Sequence, residues 1–292
     1  NLRLGVNAGN SIASGGNFNV VVGDEAGTAL TTGDDNVAIG FEALATEDAH
    51  GDNVAIGHQA LKTLNAGAEG ENVAVGHGAG TAMTTGVQNA LVGKRSGDAL
   101  TDADRNVALG YATLSADTLG SKSTAIGYAA LFAQNFTTAT DSFNTAVGYE
   151  AGGAVTTGTR NTLIGSLAGD AITTGNFNSA LGHNSLGTNI TGTHNTAIGD
   201  FSLALSSTGD NNTAVGQGSL EANTTADNNT AVGKSALGAN TTGPENTAVG
   251  KSALGANTTG ADNTALGRTA LENNTTASNN TAVGKASLSQ NT

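Results

Sequence analysis

The side chains best suited to chemistry recur at a fixed interval. Phe41, His58, His77, Lys94, Tyr111, Tyr128, Tyr149 and His183 are separated by 17 residues, by slight extensions of that step or by its multiple, and Lys234, Lys251, Arg268 and Lys285 continue the series. All three tyrosines of the chain belong to it. On a regularly turning chain one such column forms a strip, and rings beside charges suit a glycan or a protein receptor. An exposed turn position that simply varies is the plainer reading. His58 and His77 could offer nitrogens to a metal, but the sequence specifies no third ligand, so it assigns neither metal nor cofactor.

Other candidate chemistry is weaker. Acidic turns at Asp34–Asp35, Glu47–Asp48 with Asp52, and Asp102–Asp104 could bind calcium through carboxylates. They match neither EF-hand spacing nor the nonapeptide of calcium-binding β-rolls, so solvated turns suffice. No spacing sets a base beside a nucleophile, no GxSxG or Walker motif occurs, and no carboxylate pair is singled out for glycoside hydrolysis. The residues therefore point to a protein that is not an enzyme. Sequons such as Asn240 and Asn257 follow from an Asn- and Thr-rich repeat and say little about glycosylation.

What must position these residues is the repeat itself. Asn-x-x-aliphatic-Gly begins at residues 1, 19, 36, 53, 72, 89, 106, 123, 144, 161, 178, 195, 212, 229, 246, 263 and 280, which makes one array spanning 1–292. Thirteen of the sixteen spacings are 17 residues, and the longer ones place their extra residues after the ninth position, as surface loops do. With the Asn counted first, the fifth residue is Gly in all 17 copies, and the first is Asn in all but the copy that opens on Ser123. Stacked Asn side chains can hydrogen-bond from copy to copy. Val, Ile and Thr in a short run closed by Gly indicate a strand.

The fourth residue is always aliphatic, which predicts the core column Ile39, Ile56, Val75, Val92, Leu109, Ile126, Val147, Ile164, Leu181, Ile198, Val215, Val232, Val249, Leu266 and Val283. The ninth residue is Leu eleven times and Gly six times. Where it is Gly the twelfth is large and apolar (Ile12, Leu30, Met83, Leu100, Val155, Ile172), and where it is Leu the twelfth is polar except at Leu64. One interior slot filled from either of two backbone positions explains this exchange, because close packing keeps volume constant.

Two Gly-marked turns per copy leave room for two short strands. The expected fold is all-β, a parallel β-solenoid or β-roll of about 17 coils, stacked at about 4.8 Å into a rod on the order of 80 Å long. Neighbouring strand residues face opposite ways, so an inward fourth position turns the Ala-rich third position outward. That Ala column is too long an apolar stripe to leave in water, and three chains could share it along a common axis. A wider monomeric solenoid with Ala on a solvated face is the alternative. The second-position Thr column, from Thr124 to Thr281, raises ice or crystal binding, which an inward-pointing Thr would exclude.

The NTAVGxxAL, NVAIGxxAL and NTLIGSLAG units resemble the YadA-like head repeats of trimeric autotransporter adhesins and the related repeats of phage tail fibres and bacterial surface fibre proteins. The resemblance covers the whole chain, although the 17-residue unit is longer by part of a turn. It implies a left-handed, homotrimeric β-roll on a cell or virion surface. The expected function is a non-enzymatic extracellular fibre or adhesin head segment that displays a binding surface, with a self-assembling filament subunit or a phage tail-fibre shaft as alternatives.

Composition sets outer bounds. With 43 Gly, 3% aromatics and no Trp among 292 residues, any core is thin. A net charge of −13 disfavours nucleic acid and anionic membranes as partners. The lack of Cys removes disulfides and thiolate chemistry. No run of 18 apolar residues is present for membrane insertion. Both ends lack the polar capping element that a repeat array needs, so the chain is expected to be a section of something longer, or a subunit whose ends neighbours cover.

Overall fold

The computed structural model describes residues 1–291 as a parallel β-solenoid of about 17 turns, without a helix among the described residues. The chain divides into two compact units, Asn1–Asn144 and Thr145–Thr292. In the first unit eight three-residue strands, from Leu2–Leu4 to Thr124–Ile126, pair in chain order. In the second unit nine do so, from Thr145–Val147 to Thr281–Val283. Register is residue for residue, with Thr230 beside Thr247, Ala231 beside Ala248 and Val232 beside Val249. A regular 17-residue period makes any other register a clash of columns.

Each coil carries one strand, not the two that its Gly-marked turns suggested. Among the described residues, only Gly120–Ser121 and Thr140–Asp141, where the repeat lengthens, add a second short ladder. Elsewhere the return path is a run of turns whose backbone still bonds to neighbouring coils. In the coil beginning at Asn229, Ser235, Leu237 and Glu245 all hold φ between +50° and +60°. Such left-handed residues cost roughly 1–2 kcal/mol each. Their amides recover the cost by reaching adjacent coils: Ser235 N–H donates to Gln217 O at 2.9 Å, Leu237 N–H to Ala253 O at 3.0 Å and Glu245 N–H to Asp227 O at 3.1 Å. The fifth-position Gly is required more strictly. A Cβ on Gly216 would sit 2.7 Å from the backbone carbonyl group of Gly233, at φ +131°.

The structure reverses the expected core. Third-position alanines such as Ala38, Ala108, Ala197 and Ala248 are fully buried. The fourth-position column Ile39, Ile56, Val75, Val92, Leu109, Ile126, Val147, Ile164, Leu181, Ile198, Val215, Val232, Val249, Leu266 and Val283 points outward with the second, and none of it is buried. The reason is volume. In the eleven coils with a ninth-position Leu, the space below the strand already holds the first-position residue, the small eighth residue and that Leu, as with Asn246, Ala253 and Leu254, all at 0% exposure. Only Ala stands opposite them. A three-chain axis built on Ala therefore has no exposed Ala column to use.

The interior slot exchange appears in the geometry and gains a third member. A Cβ on Gly97 would lie 2.8 Å from Leu100 Cδ1 and 3.0 Å from Leu91 Cδ2; on Gly169, 2.7 Å from Leu163 Cδ2 and 2.8 Å from Ile172 Cδ1. The four coils with a third residue larger than Ala (Arg3, Val21, Leu91, Leu163) all have Gly at the ninth position. Third, ninth and twelfth residues thus share one volume.

The Asn column forms the expected ladder. Each buried side chain accepts from the next Asn amide, as Asn229 Oδ1 does from Asn246 N–H at 2.9 Å, while Asn246 Nδ2 donates to Gly260 O at 2.8 Å. Where Ser123 interrupts the column, Gln134 spans the gap, donating to Ser123 Oγ at 2.9 Å and accepting from Asn144 Nδ2 at 2.8 Å. A second ladder runs through the twelfth position, with Asn257 Nδ2 donating to Asn240 Oδ1 at 2.8 Å and Asn274 Nδ2 to Asn257 Oδ1 at 3.0 Å.

Candidate functional site

The sixth-position strip is exposed as expected, because the strand's outward alternation resumes after the fifth-position Gly. Phe41, His58, His77, Lys94, Tyr111, Tyr128, Tyr149 and His183 are all solvent-exposed. Within the first unit the rings stack at the coil spacing. His58 and His77 lie 4.7 Å apart and 4° from parallel, Tyr111 and Tyr128 5.3 Å apart and 10° from parallel, and Phe41 tilts against His58 at 5.3 Å. In the second unit His183 Nδ1 lies 3.1 Å from Asp200 Oδ1 and its ring meets Phe201 edge-on.

Because the rings cover one another's faces, they turn edges and polar groups outward, which suits hydrogen bonding and edge-on apolar contact with a ligand. It does not suit a metal. Two imidazoles stacked face to face do not converge their nitrogen lone pairs on one point, as a zinc site requires. The group Glu47, Asp48 and His50 brings carboxylates and a ring nitrogen together. Its buried member is already engaged, with Glu47 accepting from the amides of Asp48 (3.1 Å), His50 (3.2 Å) and Ala66 (3.0 Å). Glu47 is a twelfth-position residue pinning its own loop. The sequons are engaged as well, since Asn240 and Asn257 are fully buried in the second ladder.

Two carboxyl groups are displaced from their ordinary range. Hydrogen bonds from Lys62 Nζ and Gln59 Nε2, at 2.6 and 2.7 Å, lower the pKa of Glu42. Burial raises that of Asp170, whose Oδ1 has no hydrogen-bond partner. The nearby Glu150 carboxylate raises Asp170 further.

The feature that sequence reasoning places on the wrong side is the outward sheet face. Its centre consists of second- and fourth-position side chains, Val with Ile, Val or Leu through most of the first unit and Thr, or Ser at Ser179, with Val, Ile or Leu in the second. Exposure reaches 46% at Leu109, 49% at Leu181 and 47% at Leu266. The sixth-position strip forms one rim. The other rim is the seventeenth position, which precedes each Asn: it holds Lys122 over the Phe143 ring at 5.3 Å in the first unit and Arg160 over Phe177 at 5.3 Å in the second. Phe177 in turn stacks on His194 at 4.8 Å. The signal that could have found this face is the size of the third residue, which exceeds Ala only where the ninth is Gly, as an interior residue sharing that volume must.

Comparison of the chain with family models, with curated proteins and with solved structures gives no match in any of the three. The functional reading therefore rests on the fold and its surfaces.

Proposed function

We propose that this chain is a non-enzymatic segment of an extracellular fibre, carried on a cell or virion surface, that works through ordered surface columns and associates with further copies. The observation that carries this reading is the outward face: aliphatic columns, joined by Thr in the second unit, between two rims in which aromatic and charged side chains predominate. Apolar surface of this extent marks an association surface. Its likeness to YadA-like heads, tail fibres and surface fibre proteins in the repeat unit supports the same class, in the form of an adhesin head, a filament subunit or a fibre shaft. Antibody raised against the purified chain should label intact source cells or particles. Labelling only after lysis would overturn the extracellular assignment.

Target binding along the sixth-position strip is part of this reading, supported by its stacked exposed rings. Tyr111→Ser, Tyr128→Ser and Tyr149→Ser together should abolish attachment to the target surface while leaving the melting temperature unchanged. Unchanged attachment would remove the strip from function.

Crystal-surface binding, including ice, is a second reading that one observation favours. In the second unit the Thr column points outward, beside an aliphatic column and in straight register, where an inward column would have excluded it. Methyl and hydroxyl groups then repeat at the strand spacing of about 4.8 Å. Thermal hysteresis in a dilute solution of the chain would support this reading, and its absence would dismiss it.

A further inference from the structure

The chain carries eleven Lys and Arg residues, and the four that follow Arg160 all fall at the sixth position of consecutive coils: Lys234, Lys251, Arg268 and Lys285. Between these coils the fourth residue changes between Val and Leu and the seventh from Ser to Thr to Ala, but the cation is kept. The strands that lead into them, Thr230–Val232, Thr247–Val249, Thr264–Leu266 and Thr281–Val283, pair residue for residue. Four positive charges are thereby set in a row, one per coil at about 4.8 Å and on the order of 14 Å from first to last.

All four side chains are exposed, and among the described residues none of them has an ion pair or a hydrogen bond. Cations elsewhere are engaged, as Lys62 is with Glu42, Arg95 with Asp98 and Lys122 with Asp141. Of the carboxylates in the same coils as the row, Glu272 makes no ion pair with Arg268, and Glu245 and Asp262 stand on the opposite rim. Six residues of near-extended backbone, up to about 20 Å, lie between the rims. That is well beyond the Debye length of about 8 Å at physiological ionic strength. The four charges repel one another, so the row opposes folding until a polyanion along it turns repulsion into attraction.

We infer that this row binds a linear acidic polysaccharide of the polyuronate kind, laid along the direction in which the coils stack. An extended polyuronate carries one carboxylate per sugar ring, a step close to the coil spacing. Its rings have C–H faces for the exposed Val232, Leu266 and Val283 on one side of the row, and hydroxyl edges for Ser235, Ser252 and Thr269, which follow the cations in the chain. Single-stranded nucleic acid fits less well, because it binds on aromatic platforms and no aromatic residue or His follows Phe201. Three of the four cations are also Lys, whereas phosphate recognition favours the Arg fork. A flat anionic membrane would press on Glu245 and Asp262 as well, while a thread one charge wide touches the row alone. The site rests on the reading of the sixth-position strip as the target-binding column and gives these four coils a ligand class.

Fluorescence anisotropy with a labelled polygalacturonate oligomer and the whole chain tests it across a salt series at pH 7. The oligomer should bind, and log K should fall against log salt with a slope no steeper than about −3, as for four charges on a single strand. Lys251→Gln with Arg268→Gln, at exposed sites and with the fold checked by circular dichroism, should weaken binding about tenfold or more and roughly halve that slope. Lys62→Gln with Arg95→Gln removes equal charge from cations already paired and should leave affinity unchanged. The methyl ester of the oligomer, which lacks the charges, should not bind. An ester bound as well as the acid, an unaffected row variant, or tighter binding to oligothymidylate or to phosphatidylserine–phosphatidylcholine vesicles would overturn the site. Its failure is separable from that of the wider reading. A chain that ignores the oligomer yet loses attachment with its tyrosines sinks the polyuronate site alone, and oligomer binding by a chain that labels only after lysis sinks the extracellular assignment alone.

Discussion

Converting the coil that begins at Asn161 to the majority pattern tests the shared interior volume. Leu163→Ala alone removes a fully buried side chain and should cost about 2–5 kcal/mol. Gly169→Leu alone places its Cβ 2.7 Å from Leu163 Cδ2 and 2.8 Å from Ile172 Cδ1. Overpacking of this kind costs about 1–3 kcal/mol, and a left-handed residue about 1–2 kcal/mol more. Ile172→Asn alone leaves a cavity above Gly169 and should also destabilise by several kcal/mol, at about the scale of large core truncations. In the triple variant, the new leucine side chain fills the space that the two truncations vacate. The new asparagine also gains a role. Asn189, one coil along, is buried with neither side-chain atom hydrogen-bonded, and a ladder partner would relieve a penalty of about 1–3 kcal/mol. The triple variant should therefore fall within about 2 kcal/mol of the parent, although the single costs sum to several times that. Urea unfolding followed by far-ultraviolet circular dichroism measures this through the midpoint at constant slope. Additive losses, with the triple as unstable as the sum, would refute a common volume for the three positions.

Three further outcomes follow from particular contacts. Asn229→Ala takes the acceptor from the Asn246 amide and should cost about 1–3 kcal/mol, read as a lowered urea midpoint; an unchanged midpoint would make the ladder incidental. Asp170 has its pKa raised by burial, so its ionised form opposes folding: the penalty is full above the raised folded-state pKa and vanishes below the unfolded value. Asp170→Asn should thus raise the melting temperature at pH 7, with a gain that shrinks as pH falls through that window. A gain independent of pH would locate its origin elsewhere. Expressed in a glycosylating host, the folded chain should carry no glycan at Asn240 or Asn257, which intact mass spectrometry would show.

Much of this fold is legible in the sequence because each coil repeats the same physical problem. The invariant fifth Gly, the Asn ladder and the exchange between ninth and twelfth positions are visible as columns, and the structure gives each a contact. The facing of the strand is not legible from hydrophobicity, since Val, Ile and Leu at the fourth position outweigh Ala at the third. Volume decides instead: Leu44, Leu61 and Leu254 fill the coil from the opposite wall and leave space for Ala alone. The number of strands escapes sequence reasoning for a related reason, as Leu at φ near +50° turns the chain where glycine would be expected. Of the candidate site, the sixth-position strip can be read from spacing. Its opposite rim cannot, because it becomes a rim only once the intervening strand faces outward.

The orientation of that strand is the claim on which the outward face and both of its rims depend. The chain has no native cysteine, so Ala231→Cys and Val232→Cys can each be probed by thiol labelling, at a dilution where sedimentation shows single chains. The account predicts that the cysteine at 232 reacts at nearly the rate of the unfolded chain while the one at 231 reacts only on unfolding. Rapid reaction at 231 with protection at 232 would contradict it.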